Sequence, residues 1–191
     1  MIERQSYSRP DMFYDTDELS ELAINLFHGW GYNFYRAENQ LRADDQLIRA
    51  KAVWLLNQAT ASVEAAESAY RREKLQPPSR AHPFPDAVAV AGAQTLERLR
   101  AGLCALAGTL QSAPVPENDR MTQRYRHEAE TLAALITQDQ VLIGQCELLR
   151  AMLDGQDGAW MLEHAAQIET GIKAARGTFS QRESMLLSTG L

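Results

Sequence analysis

The 191-residue chain predicts an all-α protein: an antiparallel four-helix bundle with a long first helix, in a single domain over 1–191. Three observations carry this. Ala and Leu together number 51 against 13 Val and Ile, and the first pair favours helices where the second favours strands. Apolar residues recur at spacings of three and four along four long stretches. Prolines cluster between those stretches, in QPPSRAHPFPD and SAPVPEND, which places loops near 76–86 and 112–119 because proline lacks a backbone donor and restricts its predecessor.

Residues 1–15 read as an N-terminal extension. The first helical region starts near Asp15 to Asp17, whose carboxylates suit a positive helix end, meets a break signal at Gly29 and Gly31, and runs to about Leu75. Leu41, Ile48 and Leu55 recur every seven residues and continue as Ser62 and Ala69, while Ala52, Ala59 and Ala66 each follow four residues after a member of that series. This predicts a helix face lined in its second half by small residues, open to close approach of a neighbour. The region beyond the glycines is roughly 65 Å long as a helix, against roughly 40 Å for the second. Either it bends near Asp44 and Asp45, or its overhang packs on another subunit.

The second helix begins at Asp86 and carries Leu96, Leu99, Leu103, Leu106 and Leu110 on one face. The third begins near Asp119, aligns Leu132, Leu135, Leu142, Cys146, Leu149 and Leu153, and stops at Asp154 and Gly155. The fourth, from about Asp157 to Leu187, presents Met161, Ala165, Ile168, Ile172, Ala175 and Phe179. Asp139 interrupts the third stripe, in the series Leu132, Asp139, Cys146, Leu153. A carboxylate there needs a partner, since isolated burial costs several kcal/mol. The arginines within expected reach are Arg98 and Arg100 on the second helix and Arg36, Arg42 and Arg49 on the first.

Charge narrows the function classes. The net charge is −6 and the sequence pI about 5.3, the opposite of the balance that binds nucleic acid or anionic membrane nonspecifically. No DNA or membrane partner is expected. The chain lacks both an apolar run near 20 residues and an N-terminal signal core, so a cytoplasmic protein is expected. Cys104 and Cys146 lie outside any CxxC or Cys/His ligand spacing and read as reduced core thiols. A di-iron carboxylate bundle needs Glu three residues before His on the same helical face. The residues three before His28, His82, His127 and His164 are Asn25, Ser79, Arg124 and Met161. No HExxH pattern occurs either. Neither a metal nor another cofactor is therefore expected.

The densest anomaly is FHGWGYNFY, residues 27–35. On a helix, Phe27, Trp30 and Phe34 share one face, while His28, Tyr32 and Tyr35 share another and offer polar aromatic tips. Gly29 and Gly31 remove side chains where a ligand or a second backbone could approach. The alternative is a cap on one end of the bundle. His28, Trp30, Tyr32 and Tyr35 are thus the candidate interface residues. In ENDRMTQRYRHEAE, Arg120, Arg124 and His127 fall along one side of the third helix at spacings of four and three. That pattern resembles the arginine-to-histidine signature of the HEPN family, helical dimers that often act as metal-independent ribonucleases. The resemblance implies a phosphate-binding role for Arg120 and an acid/base role, or activation of a 2′-hydroxyl, for His127. The family's usual polar residue after the arginine is Met121 here. The plainer alternative pairs these arginines with Glu117, Glu128 and Glu130 on a solvated face.

The sequence therefore favours a non-enzymatic helical interaction protein, an accessory, assembly or adaptor factor with a protein partner or a second copy of itself, expected as a homodimer. The alternatives are a HEPN-like ribonuclease using Arg120 and His127, or a bundle holding a small molecule or metal. Alanine at Trp30 or Phe34 is expected to cost roughly 3–5 kcal/mol through cavity formation. Alanine at His28, Tyr32 or Tyr35 should leave the melting temperature unchanged and weaken partner capture. Thermal melts run beside pull-downs check the difference between the two faces.

Overall fold

The computed structural model describes residues 11–28, 45–75, 77, 79–80, 83–113 and 129–188. These form six helices and no strand: α1 (Thr16–His28), α2 (Asp45–Lys74), α3 (Ala87–Ser112), α4 (Ala129–Leu153), α5 (Gly158–Glu163) and α6 (Ala165–Ser188). Among the described residues no helix is long and apolar enough to cross a membrane.

Aspartates start three of the helices. Asp15 accepts the Glu18 amide at 3.2 Å, Asp86 accepts those of Val88 and Ala89, and Asp157 accepts that of Trp160 at 2.8 Å. Each removes one or two of the orphan donors that open a helix. Before α1, residues 11–14 form a turn closed by the Tyr14 amide on the Asp11 carbonyl, and it buries both Met12 and Phe13. The chain leaves α4 through Gly155, whose φ of 68° lies in the left-handed region that glycine adopts without strain. The final helical stretch is not continuous. At His164 the backbone leaves the helix, and the imidazole Nδ1 lies 2.9 Å from the Trp160 carbonyl with its ring stacked on the indole at 3.9 Å. The break lets α5 lie on α2 and α3 while α6 turns onto α4.

Two antiparallel hairpins make up most of the body. In the first, Arg49 near the start of α2 donates to the Leu110 and Ala113 carbonyls at the end of α3, and Arg71 near the end of α2 meets Glu97 at 3.2 Å. Glu67 reinforces this contact, accepting from Arg71 at 2.8 Å with Arg100 at 3.5 Å. In the second, Asp139 of α4 pairs with Arg182 of α6, and the Leu149 side chain lies against Gly171. Tyr70, late in α2, touches Gly158, just beyond α4, so α2 and α4 finish at the same end. Antiparallel packing thus holds within each hairpin, while the helices that meet across the hairpins run parallel. Contacts join α2 to α3, α3 to α6, α6 to α4 and α4 back to α2; α1 packs on α4 outside that circuit.

The α2 stripe differs from the seven-residue expectation. Ile48 and Leu55 are buried but Ser62 is only partly so and Ala69 is exposed, because a helix of 3.6 residues per turn drifts off a strict seven-residue series. The buried set continues instead through Ala52, Ala59, Val63 and Ala66, and these small residues sit in the chain's own core. They are not open to another subunit. Over the described residues, the 30 of α2 exceed the 26 of α3 by about one helical turn. The expected overhang before Asp45 falls in the segment between α1 and α2, which lies outside the described residues.

Asp139 has a guanidinium partner, as burial requires, in Arg182 of α6, which was not among the expected arginines; Arg36 and Arg42 lie outside the described residues. The Asp139 and Arg182 side chains are buried, at 5% and 2% exposure. Arg182→Met, which leaves the carboxylate buried without that guanidinium, is expected to cost about 3–5 kcal/mol. The double change Asp139→Leu with Arg182→Met should recover most of the loss. Urea unfolding of the three proteins checks this.

Candidate functional site

His28 is the last residue of α1; its side chain, together with Trp30, Tyr32, Tyr35, Arg120 and His127, lies outside the described residues. Their neighbour Phe27 is 1% exposed and belongs to the core, on the face expected of it. The anchors of both segments are nonetheless placed. Leu19 lies against Gly144 and Phe13 against Leu149, so α1 runs antiparallel to α4 and ends near the start of α4. The Arg49 bonds put the start of α2 beside the end of α3, and the Asp139–Arg182 pair puts the start of α4 beside the end of α6. Five helix ends therefore gather at one pole. The aromatic segment is tethered there between α1 and α2, and the Arg/His segment between α3 and α4.

Next to that pole α2 carries an exposed apolar face. Leu47 is 37% and Trp54 45% exposed, seven residues apart and therefore on one side of the helix. Between them Lys51 is 4% exposed, with Nζ 4.2 Å from the centroid of the Trp54 ring. Burial pushes the Lys51 ammonium below its ordinary pKa, Glu147 of α4 pulls it back up, and Arg150 adds to the lowering. Glu147 in turn is held by Arg150 at 2.6 and 2.7 Å. The indole thus lies against a buried cation on its own helix. A ring held in this way loses little conformational freedom when its outer face is covered.

Chemistry of other kinds finds less to work with. Cys146 is buried and its thiol is pushed up to about 12, chiefly by desolvation, so it is protonated at neutral pH and a poor nucleophile. Cys104 is exposed on α3, which corrects its assignment to the core. Among the described residues no three His, Cys, Asp or Glu side chains converge as metal ligands would. A shallow groove crosses α3 at Ala91, Gln94, Thr95, Arg98 and Ala101.

Four residues here were not found by sequence reasoning. Arg182 extends the buried series Ile168, Ala175 by another seven residues, a signal that was present. Leu47 and Trp54 each precede a stripe residue by one, which reads as solvent side. Lys51 carried no signal, because a lysine is ordinarily found at the surface. The chain matches no protein-family model, no curated protein and no solved structure.

The two thiols should separate chemically. In native protein at neutral pH Cys104 should react with iodoacetamide and Cys146 should not, and both should react in denaturant; peptide mass spectrometry counts the labels.

Proposed function

We propose that this chain is a non-enzymatic interaction protein that self-associates as a homodimer, acting as an accessory, assembly or adaptor factor. The observation that carries the proposal is the α2 face of Leu47 and Trp54, in which a half-exposed indole is held in place by the buried Lys51. Exposed Trp of this kind supplies large contact area at low entropic cost, and Trp is enriched among residues that dominate binding energy. A second copy is the occupant this reading adopts, because an isologous contact about a two-fold axis sets the same face against itself. The four long helices are read as a four-helix bundle, which supplies a rigid base for that face. A cytoplasmic location agrees with two cysteines that stand apart as thiols.

The geometry at the face supports this reading: it presents an apolar ring and a leucine, with Lys51 engaged on the ring and Glu147 paired with Arg150. Light scattering at micromolar concentration is expected to give a dimer mass. Trp54→Ala and Leu47→Ala should each weaken the dimer by about tenfold or more while the helical signal stays intact. A monomer at all concentrations overturns the proposal. So does RNA cleavage by the purified protein that His127→Ala and Arg120→Ala abolish, which would establish the ribonuclease reading instead.

A further inference from the structure

We infer that two copies of this chain meet along α2, antiparallel, with the two-fold axis passing between Asn57 and Gln58; this rests on the homodimer reading above and gives it an orientation and a register. The inference starts from the outward side of α2. From Leu47 to Ser68 its exposed residues all fall within about a third of the helix circumference. Glu64 is the one charge among them, because Arg49, Lys51 and Glu67 are buried, although the chain carries a net charge of −6. A helix side that faces water ordinarily gathers charged residues. A strip this long with a single charge has the character of a contact surface.

The strip is uneven, and its unevenness selects the occupant. The first half carries the large side chains Leu47 and Trp54, and the second half the small ones Ala61, Ala65 and Ser68. A partner must therefore offer hollows where this helix has bulk, and bulk where it has hollows. A second copy running the opposite way does so. Positions equally far from an axis between 57 and 58 come level, which sets Trp54 on the partner's Ala61 and Leu47 beside the partner's Ala65 and the partner's Ser68. Asn57 and Gln58 flank the axis, each facing its own counterpart, and a side-chain amide both donates and accepts, so each can bond to its own copy. A parallel pair puts indole on indole and leaves the small residues facing one another.

Charge and area agree with this register. The two Glu64 side chains stand about 20 Å apart along the paired helices, well beyond the screening length of about 8 Å, so the contact brings no like charges together. With a helix about 10–12 Å across and a rise of about 1.5 Å per residue, the strip covers roughly 500 Å² of accessible surface, and two copies bury about 1,000 Å², the lower end for a specific interface.

The test uses the full chain with Cys104→Ser, which removes the exposed thiol, and adds one of Ala50→Cys, Gln58→Cys or Ala65→Cys, all at exposed positions of α2. Disulfide-linked dimers are followed in a glutathione redox buffer, beside light scattering of the reduced proteins. Gln58→Cys is expected to link to its own copy. Ala50→Cys and Ala65→Cys each lie about 22 Å from their own counterpart; neither should link alone, and the two should link to each other when the chains are mixed. Self-linkage of Ala50→Cys and of Ala65→Cys marks a parallel pair and overturns the register, with the homodimer reading left standing. A dimer mass without a link at any position overturns the inference and moves the contact off this strip. A monomer mass overturns both.

Discussion

Residues 142–149 of α4 are all buried, eight in succession, and the rest of the structure is arranged around that fact. A helix exposes side chains in every direction over two turns, so complete burial requires neighbours on all sides. The chain supplies α2, α6 and α1, each in contact with α4. Two of these neighbours approach at glycines, Gly144 under α1 and Gly171 facing Leu149. Two polar side chains inside this stretch find partners: the Gln145 amide donates to the Phe13 carbonyl and Glu147 binds Arg150. The pairing of Asp139 with Arg182 follows the same rule one turn earlier in α4, where a carboxylate faces α6.

The position of Lys51 is a consequence of that centrality. The amine is buried on a helix that packs against α4, where Glu147 raises and Arg150 lowers its pKa. Its charge then turns to the indole of Trp54, which is held at the surface instead of packing inward. Core packing and the exposed face are thus parts of one arrangement, linked through a single side chain.

Much of the helical content was legible because its causes are local. Asp86 and Asp157 announce helix starts, Gly155 announces an end, and the leucines from Leu96 to Leu110 define a core face that the structure buries in full. What was hidden depends on partners distant in sequence. Asp139 showed that it needed an arginine, but which one is decided by the antiparallel approach of α6. The break at His164 was invisible because Met161, Ala165 and Ile168 keep a helical spacing across it; the indole and imidazole that stack there are four apart, an ordinary separation within a helix. Ser62 and Ala69 were misassigned because a seven-residue count assumes a supercoil that α2 does not follow. Of the candidate site, Phe27 sits in the core as its spacing implied; the exposed pair Leu47 and Trp54 escaped notice because an apolar residue beside a stripe reads as ordinary surface.

Arg49 has an effect beyond the two carbonyls it bonds. Helix ends ordinarily fray independently, each opening and closing its last turn at little cost. By reaching from the first turns of α2 to the Leu110 and Ala113 carbonyls, Arg49 joins the fraying of two helices into one cooperative event. Neither end can loosen without surrendering the same bonds. The start of α2, which follows the aromatic segment in the chain, and the end of α3, which precedes the Arg/His segment, are therefore kept or lost together.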